Sequence, residues 1–208
     1  MAHIVWLHGL GDSGSGWTQI KGELKLQNVA YSFPDAPVAP VTCNDGYRMT
    51  SWMDLVRIPV GKDDKEDVAG LEASKAIIHA QIDSVVASGT PSEKIVIGGF
   101  SQGGAMALYA GYSYPAKLAG VVSFSGWAAQ REGFHARVAE GANAKTPCFM
   151  GHGTEDNVVL PECGEDAKTR FEAAGVPVNF STYRMPHSTC GAEMRAVREF
   201  LREVLQLG

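Results

Sequence analysis

The chain has 208 residues, 45% of them hydrophobic, and a formal net charge of −5 at pH 7. That length supports one sizeable core, and a mildly acidic chain whose Lys/Arg clusters never exceed a pair excludes a nucleic-acid-binding surface. Cys43, Cys148, Cys163 and Cys190 are widely spaced with no Cys-x-x-Cys, so they read as free thiols of a reducing compartment, with neither a disulfide framework nor a metal site.

The chain opens on an apolar strand without a signal-type hydrophobic region, and no run is long enough to cross a membrane. A cytoplasmic protein is expected. Ile4–Leu7 reads as a short buried parallel strand, four apolar residues bounded by glycine. It runs into His8-Gly9-Leu10-Gly11-Asp12-Ser13-Gly14. A short helix is expected over Trp17–Leu26 and a strand over Val29–Phe33. The prolines of Pro34-Asp35-Ala36-Pro37-Val38-Ala39-Pro40 predict a stiff loop without regular structure. Met49–Lys65 reads as an irregular excursion that carries Trp52, Met53 and Leu55 before the charged turn Lys62-Asp63-Asp64-Lys65. Leu71, Ile78, Ile82 and Val85 recur at helical spacing and predict a helix over Glu66–Ser88.

Ile95-Val96-Ile97 is the next strand. It ends at Gly98-Gly99-Phe100-Ser101-Gln102-Gly103-Gly104, and a helical Ala105–Ala110 follows. Further strands are expected at Ala119–Phe124, Pro147–Met150 and Val178–Arg184. Helices are expected over Leu160–Ala174, stopped by Gly175, and over Gly191–Leu207. Strands and helices alternate. The predicted class is therefore α/β, a mostly parallel central sheet with helices on both faces, in a single domain spanning 1–208.

Gly99-x-Ser101-x-Gly103 between a strand and a helix fits a nucleophile elbow. The glycines leave room for a tight turn that lifts the Ser101 hydroxyl above the sheet. The next N–H, that of Gln102, then stands at a helix N-terminus, where it can stabilise an oxyanion. The competing explanation is a Gly-Ser loop with no chemistry. Context weighs against it, because an acid and an imidazole follow in the loops after later strands. Serine needs a base at neutral pH, imidazole can take and return its proton, and a carboxylate fixes the imidazole tautomer. His187, in the loop before the last helix, is the favoured base. His8 and His152 each close a strand in a His-Gly step, where a structural role fits better. Asp156 is favoured as the acid, with its neighbour Glu155 and the more distant Asp54 as alternatives. Gly9-Leu10-Gly11 is expected to supply the Leu10 N–H as a second oxyanion donor, unless its glycines serve only the turn. Trp52, Leu55, Val56 and Ile58 form an apolar cluster that is either a loop tucked onto the core or a flap over an acyl groove. Trp127 and Val158 follow strands beside the same place.

These residues resemble the acyl-protein thioesterase (lysophospholipase-like, phospholipase/carboxylesterase) family of α/β hydrolases. The matching stretches are Leu7–Gly14, Pro34–Thr42, Ser51-Trp52-Met53-Asp54, Glu66-Asp67, Gly98–Ala105, Gly151–Val159 and His187-Ser188-Thr189-Cys190 with Glu193-Met194. The resemblance implies a triad of Ser101, Asp156 and His187, oxyanion donors at Leu10 and Gln102, and an acyl channel touched by Leu55–Ile58, Trp127 and Val158. It implies hydrolysis of acyl thioesters on proteins, lysophospholipids or small acyl esters, with no cofactor, no metal and no stable membrane anchor. An exposed apolar groove of this kind also allows weak homodimerisation. Two other readings remain open: a short-chain carboxylesterase of the same fold, and a non-catalytic ligand-binding module. Asp35 stands where the family commonly has histidine, and the flap around Arg57 and Lys62–Lys65 looks longer than usual.

Overall fold

A computed structural model describes residues 1–129 and 133–207. In chain order its strands are β1 (Ala2–Leu7), β2 (Val29–Ser32), β3 (Val38–Val41), β4 (Tyr47–Thr50), β5 (Ile95–Phe100), β6 (Gly120–Phe124), β7 (Cys148–Gly153) and β8 (Val178–Tyr183). The helices are α1 (Ile20–Leu24), α2 (Val68–Ala87), α3 (Gln102–Ser113), α4 (Phe134–Glu140), α5 (Pro161–Ala173) and α6 (Gly191–Val204). Six strands form one parallel sheet in the order β2-β1-β5-β6-β7-β8.

The central strands are apolar along their whole length because both faces are covered. Their side chains still divide by alternation. Val5, Leu7, Ile95, Ile97, Val121 and Met150 pack under residues of α2, α3, α4 and α5, including Ile78, Met106, Phe134 and Phe171. Ile4, Trp6, Val96, Val122, Phe124 and Phe149 pack instead with α1 and α6, through Ile20, Leu24, Val197 and Leu201. Fully burying such a side chain contributes about 1.5–3 kcal/mol, so the two layers fix the strand register and, with it, the loops at the strand ends. The strand order reverses at β1: β2 lies on one side of it and β5 on the other. The loops after β1 and β5 therefore diverge to opposite faces and leave a crevice, the usual ligand position in open α/β sheets.

The structure departs from the sequence expectations in three places. The helix expected at Trp17–Leu26 is a 3-10 turn at Gly14–Trp17 followed by α1, which ends at Lys25 with φ 48°. The segment expected to be an irregular proline loop contains β3, which pairs antiparallel with β4 and sets Pro40 opposite Arg48. Proline lacks an N–H, but a two-stranded ribbon has an outer edge on each strand where none is required. Helix α4 went unmarked because it is short and buries only Phe134 and Val138.

Candidate active site

Ser101 follows β5 and precedes α3 at φ 57°, ψ −121°, a sparsely populated conformation that costs about 1–3 kcal/mol. Two glycines make it feasible. A Cβ on Gly99 would lie 2.3 Å from the Gly103 carbonyl oxygen, and one on Gly103 would lie 2.2 Å from that of Leu7. Any side chain at either position would push α3 off the sheet. The Ser101 N–H donates to the Phe124 carbonyl at 2.8 Å, which ties the turn to β6.

The loops after β7 and β8 bring the other two residues to this turn. Ser101 Oγ lies 2.9 Å from His187 Nε2, and His187 Nδ1 lies 2.7 Å from Asp156 Oδ2. Because carboxylate only accepts, Nδ1 carries the proton and Nε2 accepts from the serine hydroxyl. Asp156 is 4% exposed, and its other oxygen accepts from the N–H groups of Val158 and Val159, each at 2.9 Å. Burial alone would raise this carboxyl. The hydrogen bonds from His187, Val158 and Val159 outweigh it and hold Asp156 below the usual carboxylate range.

The alternatives from the sequence occupy structural posts. Glu155 pairs with Arg184 at the surface. Asp54 accepts from the N–H and hydroxyl of Thr42 and secures the end of β3. His152 is buried and donates Nε2–H to the Val159 carbonyl, and burial pushes its imidazole below the usual range. His8 donates Nδ1–H to the Gly9 carbonyl and accepts from the Ala36 N–H, so it braces the loop after β1. Asp35 accepts from the Gly14 N–H at 2.7 Å.

That loop stands directly over the serine: a Cβ on Gly9 would be 3.4 Å from Ser101 Cβ. The β3–β4 hairpin holds it there. Gly11 N–H donates to the Thr50 carbonyl, and Thr50 Oγ1 donates to that of Asp12. The N–H groups of Leu10 and Gln102 have no partner among the described residues, which leaves both available to a ligand. The Gln102 side chain does separate work that the sequence did not reveal. Its Oε1 accepts from the Trp52 N–H, and its Nε2 donates to Ser51 Oγ and the Met53 carbonyl. One buried amide thus clamps Ser51–Met53 to the first turn of α3.

A cavity of about 380 Å³ opens onto Ser101 and His187. Leu55, Ile58 and Val158 line it, together with Met49 and Val60. The other three expected groove residues lie elsewhere. Trp52 is 1% exposed and donates Nε1–H to the His8 carbonyl; it supports the loop after β1 from beneath. Val56 does not line this cavity; it lines a separate groove of about 750 Å³ between the hairpin and α2. Trp127 packs behind the cavity wall against Val60 and Val159. An aperiodic loop gives no alternation from which to tell its two sides apart, so the sequence could not sort them. Met49 and Asn44 were missed because their hairpin was.

Among the described residues, no three His, Cys, Asp or Glu side chains stand together in a way that could hold a metal ion, and no helix is long and apolar enough to cross a membrane.

The phospholipase/carboxylesterase family model matches residues 1–205. Acyl-protein thioesterase 1 of Neurospora crassa is 38% identical over 213 residues, covering 98% of this chain and 87% of that protein. Carboxylesterase SOBER1 of Arabidopsis thaliana is 37% identical over 207 residues, covering 98% and 90%. The SOBER1 crystal structure superposes with a TM-score of 0.93 at 36% identity, covering 98% of this chain and 99% of that one. Acyl-protein thioesterase 2 of Zea mays superposes with a TM-score of 0.86 at 33% identity, covering 98% and 94%. With the match running through both the sheet and the loops at its carboxyl ends, the chain belongs to the phospholipase/carboxylesterase family of α/β hydrolases.

Proposed function

We propose that this protein hydrolyses acyl thioesters and carboxylic esters through an acyl-enzyme on Ser101. The observation that carries the reading is the continuous relay from Ser101 Oγ to His187 Nε2 at 2.9 Å and from His187 Nδ1 to Asp156 at 2.7 Å. Ser101 Oγ attacks the acyl carbon while its proton passes to Nε2. The negative charge on the former carbonyl oxygen is met by the N–H groups of Leu10 and Gln102, each such donor being worth about 3 kcal/mol of barrier. His187 then gives the proton to the departing sulfur or oxygen. Water then attacks the acyl carbon as His187 takes its proton, and His187 returns that proton to Ser101 Oγ as the Oγ–acyl bond breaks and the acid leaves. Asp156 keeps Nδ1 protonated and stabilises the imidazolium.

The acyl chain occupies the cavity walled by Leu55, Ile58, Val60 and Val158. Relatives named as acyl-protein thioesterase and carboxylesterase support acylated cysteines and acyl esters as the substrate classes. Four free cysteines fit a cytoplasmic setting. The test is initial rate against acyl length on matched thioesters and oxygen esters, with Ser101→Ala as blank. Ser101→Ala is expected to lower kcat by about a millionfold. A variant that keeps the parent rate contradicts the assignment.

A further inference from the structure

A second cavity, of about 300 Å³, lies against the first. The two share Trp17, Phe100 and His187 as a common wall. Those rings form a row, with centroids 5.3 Å apart for Trp17 and Phe100 and 4.7 Å apart for Phe100 and His187. Only the first cavity touches Ser101 and the loop residues Gly9 and Leu10. Only the second is lined by Ile20, Glu23 and Met194.

Acyl transfer sorts a substrate across such a wall. The acyl carbon stays with the serine and the oxyanion donors. The leaving atom must reach the imidazole that protonates it. A cavity that includes His187 but neither the serine nor the oxyanion loop therefore suits the leaving group.

Its charge narrows the chemistry. Neither cavity has a lysine or arginine among its lining residues. The exposed Glu23 carboxylate makes no ion pair among the described residues; Arg198, its nearby cation, donates to the Glu23 backbone oxygen at 3.2 Å instead. Asp12, which lines the first cavity, accepts the Trp17 Nε1–H at 3.1 Å. The indole thus joins two cavities whose lining residues include one acidic residue each and no lysine or arginine.

We propose that the Trp17–Glu23–Met194 cavity is a leaving-group subsite selective for an alcohol or thiol that bears an alkylammonium or guanidinium cation. The aromatic row receives the cation's carbon skeleton and Glu23 its charge. In the step served, the acyl carbon bonds to Ser101 Oγ and releases the leaving sulfur or oxygen. The proton first taken from Oγ by Nε2 ends on that atom. The subsite rests on the hydrolase reading above.

The experiment compares kcat/KM for butyrylthiocholine and for its neutral isostere, in which carbon replaces the quaternary nitrogen. The acyl group is the same in both. The cationic ester is expected to be preferred about three- to tenfold at low salt, with the preference shrinking as salt is raised. Glu23→Gln brings the ratio toward one, and Glu23→Lys takes it below one. A wild-type ratio of one, or a ratio that Glu23→Lys leaves unchanged, overturns the subsite while leaving the hydrolase reading intact. Failure of the wild-type protein to cleave either ester overturns that reading and the subsite with it.

Discussion

Ser101 is held at φ 57° by contacts that no single residue supplies. Gly99 and Gly103 open the space, and Phe124 anchors the N–H. The strain is affordable because β5 and α3 are buried on all sides. Asp156 is equally over-determined, with His187 on one oxygen and two backbone N–H groups on the other. Asp156→Asn keeps the volume and the backbone contacts but presents an amide to Nδ1, which favours the wrong tautomer. Steady-state kinetics are expected to show kcat lower by about ten-thousandfold, with an unchanged circular dichroism spectrum. Gln102→Leu should act on the fold as well as on rate. It leaves the Trp52 N–H buried without a partner, at a cost of about 1–3 kcal/mol, while the Met53 carbonyl keeps only the Ser51 hydroxyl. Urea unfolding should report a lower midpoint. At this scale the residue types were legible, because serine, aspartate and histidine each lie in a loop that follows a predicted strand. The amide clamp was not, since nothing in the sequence marks which buried side chain Gln102 would meet 51 residues away.

The elements that carry the reacting groups were read from apolar runs bounded by glycine, and the runs at β1, β5, β6 and β7 are strong because both sheet faces are covered. The β3–β4 hairpin was hidden by Pro37 and Pro40, which usually break strands. Its role was hidden with it: Thr50 fixes the loop after β1, and Met49 walls the cavity. Helix α6 raises a different issue. Its first turn buries Glu193 completely, with Oε1 so close to Gly151 that a Cβ there would lie 2.1 Å away. Burial pushes this carboxyl up to about 8, against the pull of the Cys190 backbone N–H. The unfolded chain gives up the same proton near the ordinary value of 4.5. Between those two values the folded state binds the extra proton, so stability is full at the acid end and declines as pH rises toward 8. Glu193→Gln should flatten that decline, measured as urea midpoints at about pH 5 and pH 8. An unchanged slope would mean that the carboxyl is ionised in the folded protein throughout.

Across the whole molecule, function follows from topology. The strand order reverses at β1, so the loop after β1 and the elbow after β5 face each other across a crevice. Beyond β6, the loops after β7 and β8 deliver Asp156 and His187 to the same edge. Strand alternation with helices was enough to read this architecture from the chain. The sidedness of the Leu55–Val60 loop was not, because it depends on contacts with Cys43 and Val158 that lie far away in sequence.

The most direct test of the account is covalent labelling with a fluorophosphonate, read by peptide mass spectrometry. Its premise is that one serine is activated by the His187–Asp156 relay. The expected result is stoichiometric modification of Ser101 alone, abolished in Ser101→Ala and strongly slowed in His187→Ala. Modification of another residue, or labelling of Ser101 at the same rate without His187, would contradict it.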